Sequence, residues 1–283
     1  MLPGLAGMML RSLGFGLALA LLLPGAGRAA DPDAVARGAY LAAAAGCDQC
    51  HTDKEHKGQP YAGGRVLKTP YGAIPTPNIT PDRGTGIGAW NYAEFTRALR
   101  WGVAPDDTHY LPEFPFPYYA GLSDADIADL KAFLDSLPPA AQAGLQGPDS
   151  MALAERAWAA VKVALTPPQP VFEPDPAKDA AWNRGAYLAA TVGRCRDCHG
   201  ANLAGDKSRK APNITPDPAT GIGKWSEDDV LTLLKEGQTP DVDFVGGAMA
   251  EIVRNTSRLT DADRKAIAVY LRSVVPVASH ATK

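Results

Sequence analysis

The sequence is written twice. Arg37-Gly38-Ala39-Tyr40-Leu41-Ala42-Ala43 recurs as Arg184-Gly185-Ala186-Tyr187-Leu188-Ala189-Ala190, and each run leads into a Cys-x-x-Cys-His. The first is Cys47-Asp48-Gln49-Cys50-His51, the second Cys195-Arg196-Asp197-Cys198-His199. Pro77-Asn78-Ile79-Thr80-Pro81-Asp82 returns as Pro212-Asn213-Ile214-Thr215-Pro216-Asp217, and both continue through Thr-Gly-Ile-Gly to a Trp, Trp90 and Trp225. Leu122-Ser123-Asp124-Ala125-Asp126 is echoed by Leu259-Thr260-Asp261-Ala262-Asp263. Four matched blocks in one order identify a tandem duplication. A chain of 283 residues built this way should form two modest domains of like fold.

The copies run over residues 31–139 and 178–276, with a tail at 277–283. The offset between them falls from 148 at the Cys motif to 135 at the Asn-Ile-Thr block, so the first copy carries 13 extra residues, within 57–75. The linker, 140–177, holds one amphipathic segment, Ala152 to Leu165, with Leu153, Ala157, Trp158, Val161 and Leu165 on one face. That face is expected to pack between the domains before Pro167-Pro168 and Pro174-Asp175-Pro176 break the helix.

Each copy reads as three short helices joined by long loops. Asp31-Pro32 opens the first, a capping acid followed by Pro at the first helical position, and Gly46 closes it. Asn91 and Ser226 open the second pair, which end before Gly102 and Gly237. Ser123 and Thr260 open the last, each with Asp three residues on. Ile127/Leu130/Leu134/Leu137 and Ile267/Tyr270/Leu271/Val274 then recur at helical spacing. With no alternating strand pattern, the expectation is all-α.

Four Cys are present, all inside the two motifs. A zinc site would want two pairs about 15–20 residues apart, whereas 144 residues separate these. A thioredoxin-like pair would follow a strand, and here a helix leads in. A disulfide framework would spread its Cys over the loops. The adjacent His decides for c-type haem: two thiols one helical turn apart add to the vinyl groups, and the next imidazole reaches iron. Two covalently attached haems would also supply apolar bulk to a chain with only 7% aromatic residues, 28 Gly and 25 Pro. A net charge of −3 offers no basic excess for a nucleic acid.

Arg11, an apolar run from Leu13 to Leu23 and a small-residue exit through Gly25-Ala26-Gly27 read as a secretory signal peptide over residues 1–30. Cleavage near Ala29 or Ala30 removes Arg11 and Arg28 and takes the net charge from −3 to −5. No later stretch is long and apolar enough to span a bilayer, so the expected location is the periplasm.

Arg-Gly-Ala-Tyr-Leu before Cys-x-x-Cys-His, then Pro-Asn-Ile-Thr-Pro-Asp, Thr-Gly-Ile-Gly and Trp, then Leu-[Ser/Thr]-Asp-Ala-Asp, together resemble class I cytochromes c. More narrowly, they are similar to the multihaem cytochrome c subunits of periplasmic alcohol and gluconate dehydrogenases. The resemblance implies two tandem class I domains, each wrapped round one haem, with His51 and His199 as proximal ligands. Pro77 and Pro212 would each accept a hydrogen bond from the proximal imidazole, orienting it. Trp90 and Trp225 would bond haem propionates or simply pack in the core. Met249 follows Gly246-Gly247 where the family puts its axial Met. The first copy has no Met between residues 10 and 150, and Phe114 stands where relatives often carry one. His109 is then the best remaining distal ligand. His56 is a weaker one, and an open iron is the alternative. Met/His ligation raises potential relative to a second imidazole, so the His51 haem is expected to titrate below the His199 haem. The implied function is electron transfer from a partner dehydrogenase to a downstream cytochrome or terminal oxidase. The rival reading is a haem enzyme of the thiosulfate-oxidising or peroxidase kind acting at the first haem.

Overall fold

The computed structural model describes Met1 and residues 31–69, 72–111, 113–142, 161, 165 and 170–279. The signal-peptide reading of residues 1–30 therefore falls, apart from Met1, outside the described residues, as does most of the linker helix. Of that helix Val161 and Leu165 are described, and both are helical and exposed. Among the described residues no helix is long and apolar enough to cross a membrane.

In the first domain α1 (Pro32–Ala45) and α5 (Asp124–Ser136) cross, with α2 (Cys47–Cys50), α3 (Tyr92–Trp101) and α4 (Phe116–Tyr119) between them in sequence. In the second, α6 (Ala180–Tyr187) crosses α10 (Asp261–Ser273), and α7 (Cys195–His199), α8 (Glu227–Glu236) and α9 (Gly247–Thr256) lie between. A π-helical turn, Leu188–Val192, joins α6 to the second Cys motif.

Local chemistry sets these boundaries. Asp31, Asn91, Ser123, Ser226 and Thr260 each accept a backbone N–H at a helix start, and Asn91 and Ser226 complete capping boxes with Glu94 and Asp229. Each such cap contributes about 1 kcal/mol. Gly46, Gly102 and Gly237 end their helices in the left-handed region. The two crossings are close because each has a glycine at its centre. A Cβ on Gly38 would lie 1.9 Å from the Asp129 carbonyl oxygen, and one on Gly185 would lie 1.8 Å from that of Ala266.

The all-α expectation needs one correction. Val66–Thr69 and Gly72–Pro75 pair antiparallel as β1 and β2, with Val66 opposite Pro75 and Thr69 opposite Gly72. Four-residue strands are too short to show an alternating pattern, and extra chain that joins neither helix must pair its backbone groups with itself. The extra chain is also split in two. Ile79 N donates to Tyr61 O as Ile214 N does to Leu203 O, and Gly63 N donates to His51 O as Gly205 N does to His199 O. Aligned on those bonds, six of the extra residues precede Tyr61 and seven follow Gly63, in the segment that forms the hairpin.

The domains join about a pseudo-twofold relation. Tyr40 Oη donates to Asp263 Oδ2 at 2.6 Å and accepts from Thr260 N at 3.0 Å. Its repeat counterpart Tyr187 donates to Asp126 and accepts from Ser123 N. The same tyrosine of each repeat therefore grips the first turn of the other domain's last helix. Asp263 also holds Arg184 through two bonds at 2.9 and 2.8 Å.

Candidate haem-binding sites

Each Cys motif forms a single helical turn at the end of the first helix of its domain. His51 Nδ1 lies 2.8 Å from Pro77 O, and His199 Nδ1 lies 2.7 Å from Pro212 O. With Nδ1 committed to a carbonyl, Nε2 of each ring is the nitrogen left to bind a metal. Burial lowers both imidazole pKa values against the opposing pull of the Pro carbonyl, favouring the neutral, ligating form. Burial pushes Cys47 up to about 12 and Cys195 up to about 11, whereas a reactive thiol is held low.

The Asn-Ile-Thr blocks hold the two prolines in place. Asn78 Oδ1 accepts from Thr80 N at 2.9 Å and Thr80 Oγ1 at 2.8 Å, while its amide donates to Ala140 O at 2.7 Å. Asn213 repeats this with Thr215 and Val277 O, at 2.9, 2.8 and 2.7 Å. Thr80 and Thr215 are fully buried. Each block thus ties the strand of chain after the last helix to the loop beneath the imidazole. The sequence marked these blocks by repetition, but their clamping of residues 140 and 277 shows only in three dimensions.

The residues present fit a haem. Pro77 and Pro212 are exposed although their neighbours Thr76, Asn78, Ala211 and Asn213 are buried, which leaves an apolar face beside each imidazole. Met249 is half-buried on the first turn of α9, and a Cβ on Gly246 or Gly247, just before it, would meet nothing within 4 Å. Trp90 and Trp225 are partly buried against the core.

The distal sides differ. His109 bridges antiparallel to Val103, as Phe244 does to Gln238. His109 is exposed, and so is Phe244. Five residues beyond that bridge the second domain has Met249 and the first has Phe114. Phe114 sits edge-on to Tyr110 at 5.3 Å and to Tyr119 at 5.9 Å, making an aromatic wall. His56 is exposed and paired with Asp53 at 2.7 Å.

The Cytochrome c family model matches residues 35–138 and 168–275. The chain is 39% identical to a diheme cytochrome c-type protein of Cereibacter sphaeroides, over 94% of this chain and 99% of that one. It is 36% identical, over 93% of its length, to the cytochrome c subunit of a quinone alcohol dehydrogenase of Gluconacetobacter polyoxogenes. The same identity holds over 85% of its length to the gluconate 2-dehydrogenase cytochrome c subunit of Pantoea cypripedii. It spans 61% and 59% of those two subunits.

Proposed function

Because this chain belongs to the cytochrome c family and holds two covalently bound haem c groups, we propose that it is an exported electron carrier. It takes electrons from a partner dehydrogenase in the periplasm and passes them to a downstream cytochrome or terminal oxidase. The observation that carries the reading is the twofold occurrence of one ligand geometry, a Cys-x-x-Cys-His turn whose imidazole is fixed by a Pro carbonyl. Likeness to dehydrogenase cytochrome subunits supports the choice of donor.

Haem iron supplies reversible one-electron exchange. The chain's own residues do the rest. Cys47, Cys50, Cys195 and Cys198 form the thioethers. His51 and His199 would bind iron through Nε2, and Met249 would offer its thioether to the iron of the second site. Pro77 and Pro212 keep the imidazoles oriented, so little reorganisation accompanies a change of charge. Trp90 and Trp225 line their haem pockets.

At the first site Phe114 stands where the second has Met249, so that iron would be held by His109 as well as His51, or by His51 alone. An optical spectrum of the oxidised protein separates the two. Two low-spin haems support the carrier with His109 ligation. A high-spin signal that cyanide shifts overturns His109 and favours the second reading, a haem enzyme whose substrate enters beneath the aromatic wall of Tyr110, Phe114 and Tyr119.

A further inference from the structure

Helix α9 stands between the two Cys motifs and turns a different face to each domain. Met249, Val253 and Thr256 share one face at helical spacing, and Glu251 and Asn255 share the other. The first face belongs to the second domain: Val253 lies against Gly237, and Thr256 Oγ1 donates to Leu234 O at 2.5 Å. The second face lies on the first Cys motif. There Gln49 Nε2 donates to Asn255 Oδ1 at 2.5 Å and to Glu251 O at 3.1 Å. Gln49 and Asn255 are only 6% and 5% exposed, so these bonds are made away from water.

The contact is close and braced. A Cβ on Gly46 would lie 2.3 Å from Asn255 Nδ2, so glycine is what lets the motif sit on the helix. Arg65, just before the hairpin, donates to Gln49 O at 2.6 Å and pairs with Glu251 at 3.4 Å. Arg258, just past the end of α9, pairs with Asp48 at 3.1 Å. The start of α9 is held less firmly, for its cap is Gly246, with no side chain to accept a backbone N–H, and Gly247 is left-handed. The second motif does not repeat the arrangement. Asp197, the counterpart of Gln49, pairs with Arg209 and Arg194 of its own domain at 3.2 and 3.7 Å.

We propose that Gln49, although it belongs to the first haem-attachment motif, is a positioning residue for the second haem: through Asn255 and Glu251 it fixes α9 and so holds the Met249 thioether in place for iron. This rests on the reading of Met249 as the distal ligand. Asn255 lies six residues past Met249, about 9 Å along a continuous helix. With a glycine start that sets no side-chain cap, the orientation of the first turn depends on bonds made further along. The polar anchor of that helix is supplied by the other domain, so the distal side of one haem is built partly from the attachment motif of the other.

The test is displacement of Met249 by imidazole in the oxidised two-haem protein, followed at the far-red charge-transfer band of a thioether–ferric iron bond. That band reports the Met-ligated haem alone, so imidazole taken up at the first haem does not enter. Gln49→Leu should let imidazole displace the thioether at about tenfold lower concentration, the order of one buried hydrogen bond lost. Asn255→Leu should do the same, and the double variant little more than either, because both remove one bond. Tyr40→Phe, which loosens the domain boundary at Asp263 instead, should leave the concentration unchanged. Unchanged displacement in Gln49→Leu overturns the proposal. So does an equal shift in Tyr40→Phe, which would make the effect one of general loosening, and so do shifts that add in the double variant. If Gln49→Leu fails to load the first haem, Asn255→Leu, outside the motif, decides the matter against Tyr40→Phe by the same outcomes. A wild-type protein without the band, or a band that survives Met249→Ala, overturns the Met249 reading and this proposal with it. Failure of this proposal alone leaves a band that depends on Met249 and is displaced as in wild type when Gln49 is changed.

Discussion

Asn78 and Asn213 show how much one side chain can organise. Each satisfies a buried Thr and a carbonyl from beyond the last helix, and each adjoins the Pro whose carbonyl meets an imidazole. Asn78→Ala strands the Thr80 N–H and leaves the Ala140 carbonyl only the longer bond from Thr85, and should cost about 1–3 kcal/mol in denaturant unfolding. An unchanged midpoint would show that the clamp carries no stability. Asp82 and Asp217 are held below the ordinary carboxylate range by bonds from Thr85 and Thr220. A carboxyl lowered on folding stabilises above its unfolded pKa, near 3.9, and loses that contribution as pH falls through the folded value. Asp82→Asn with Asp217→Asn should therefore flatten the acid side of the stability–pH profile, and an identical profile would refute the linkage. The repeat revealed that this block matters. Which atoms it joins was hidden, because the partners lie 60 or more residues away in the chain.

Helix limits were legible for a local reason. A cap is a contact between residues two or three apart, so Asp31, Asn91, Ser123, Ser226 and Thr260 could be read from sequence, as could Gly46, Gly102 and Gly237. The hairpin at 66–75 was not legible, since its strands are too short for a period. Nor was the use of the repeated glycine and tyrosine, which depends on where helices cross. Gly38→Ala and Gly185→Ala push a methyl group into a backbone carbonyl and should each cost about 3 kcal/mol or more. Wild-type melting of either variant would contradict the packing. Tyr40→Phe with Tyr187→Phe removes the paired grips on Asp263 and Asp126. Calorimetry of the haem-loaded double variant should show a lower melting temperature, still as one transition, because Gln49–Asn255 and Arg258–Asp48 continue to join the domains. A wild-type melting temperature would show that the two tyrosine bonds carry no stability.

At the scale of the molecule, duplication fixes the resemblance of the halves, and function lives in their differences. The proximal sides match almost atom for atom, His51 with Pro77 and His199 with Pro212. The loops after the middle helices do not match, for the second has Met249 behind Gly246-Gly247 while the first packs Phe114 against Tyr110 and Tyr119. The missing Met could be read from the sequence. The exposed position of His109 could not, because it depends on the bridge to Val103. The junction adds a third difference in Arg194 facing Tyr119, where the other half has Gly46 facing Asn255. Under the proposed function, an asymmetric pair of haems in a symmetric frame would give electrons a direction. The most direct test is a spectroelectrochemical titration of the loaded protein beside its Met249→Ala variant. The account predicts two separate one-electron waves, the lower from the first domain, with Met249→Ala pulling down the upper wave alone. Two coincident waves, or an upper wave that stays in place without Met249, would contradict it.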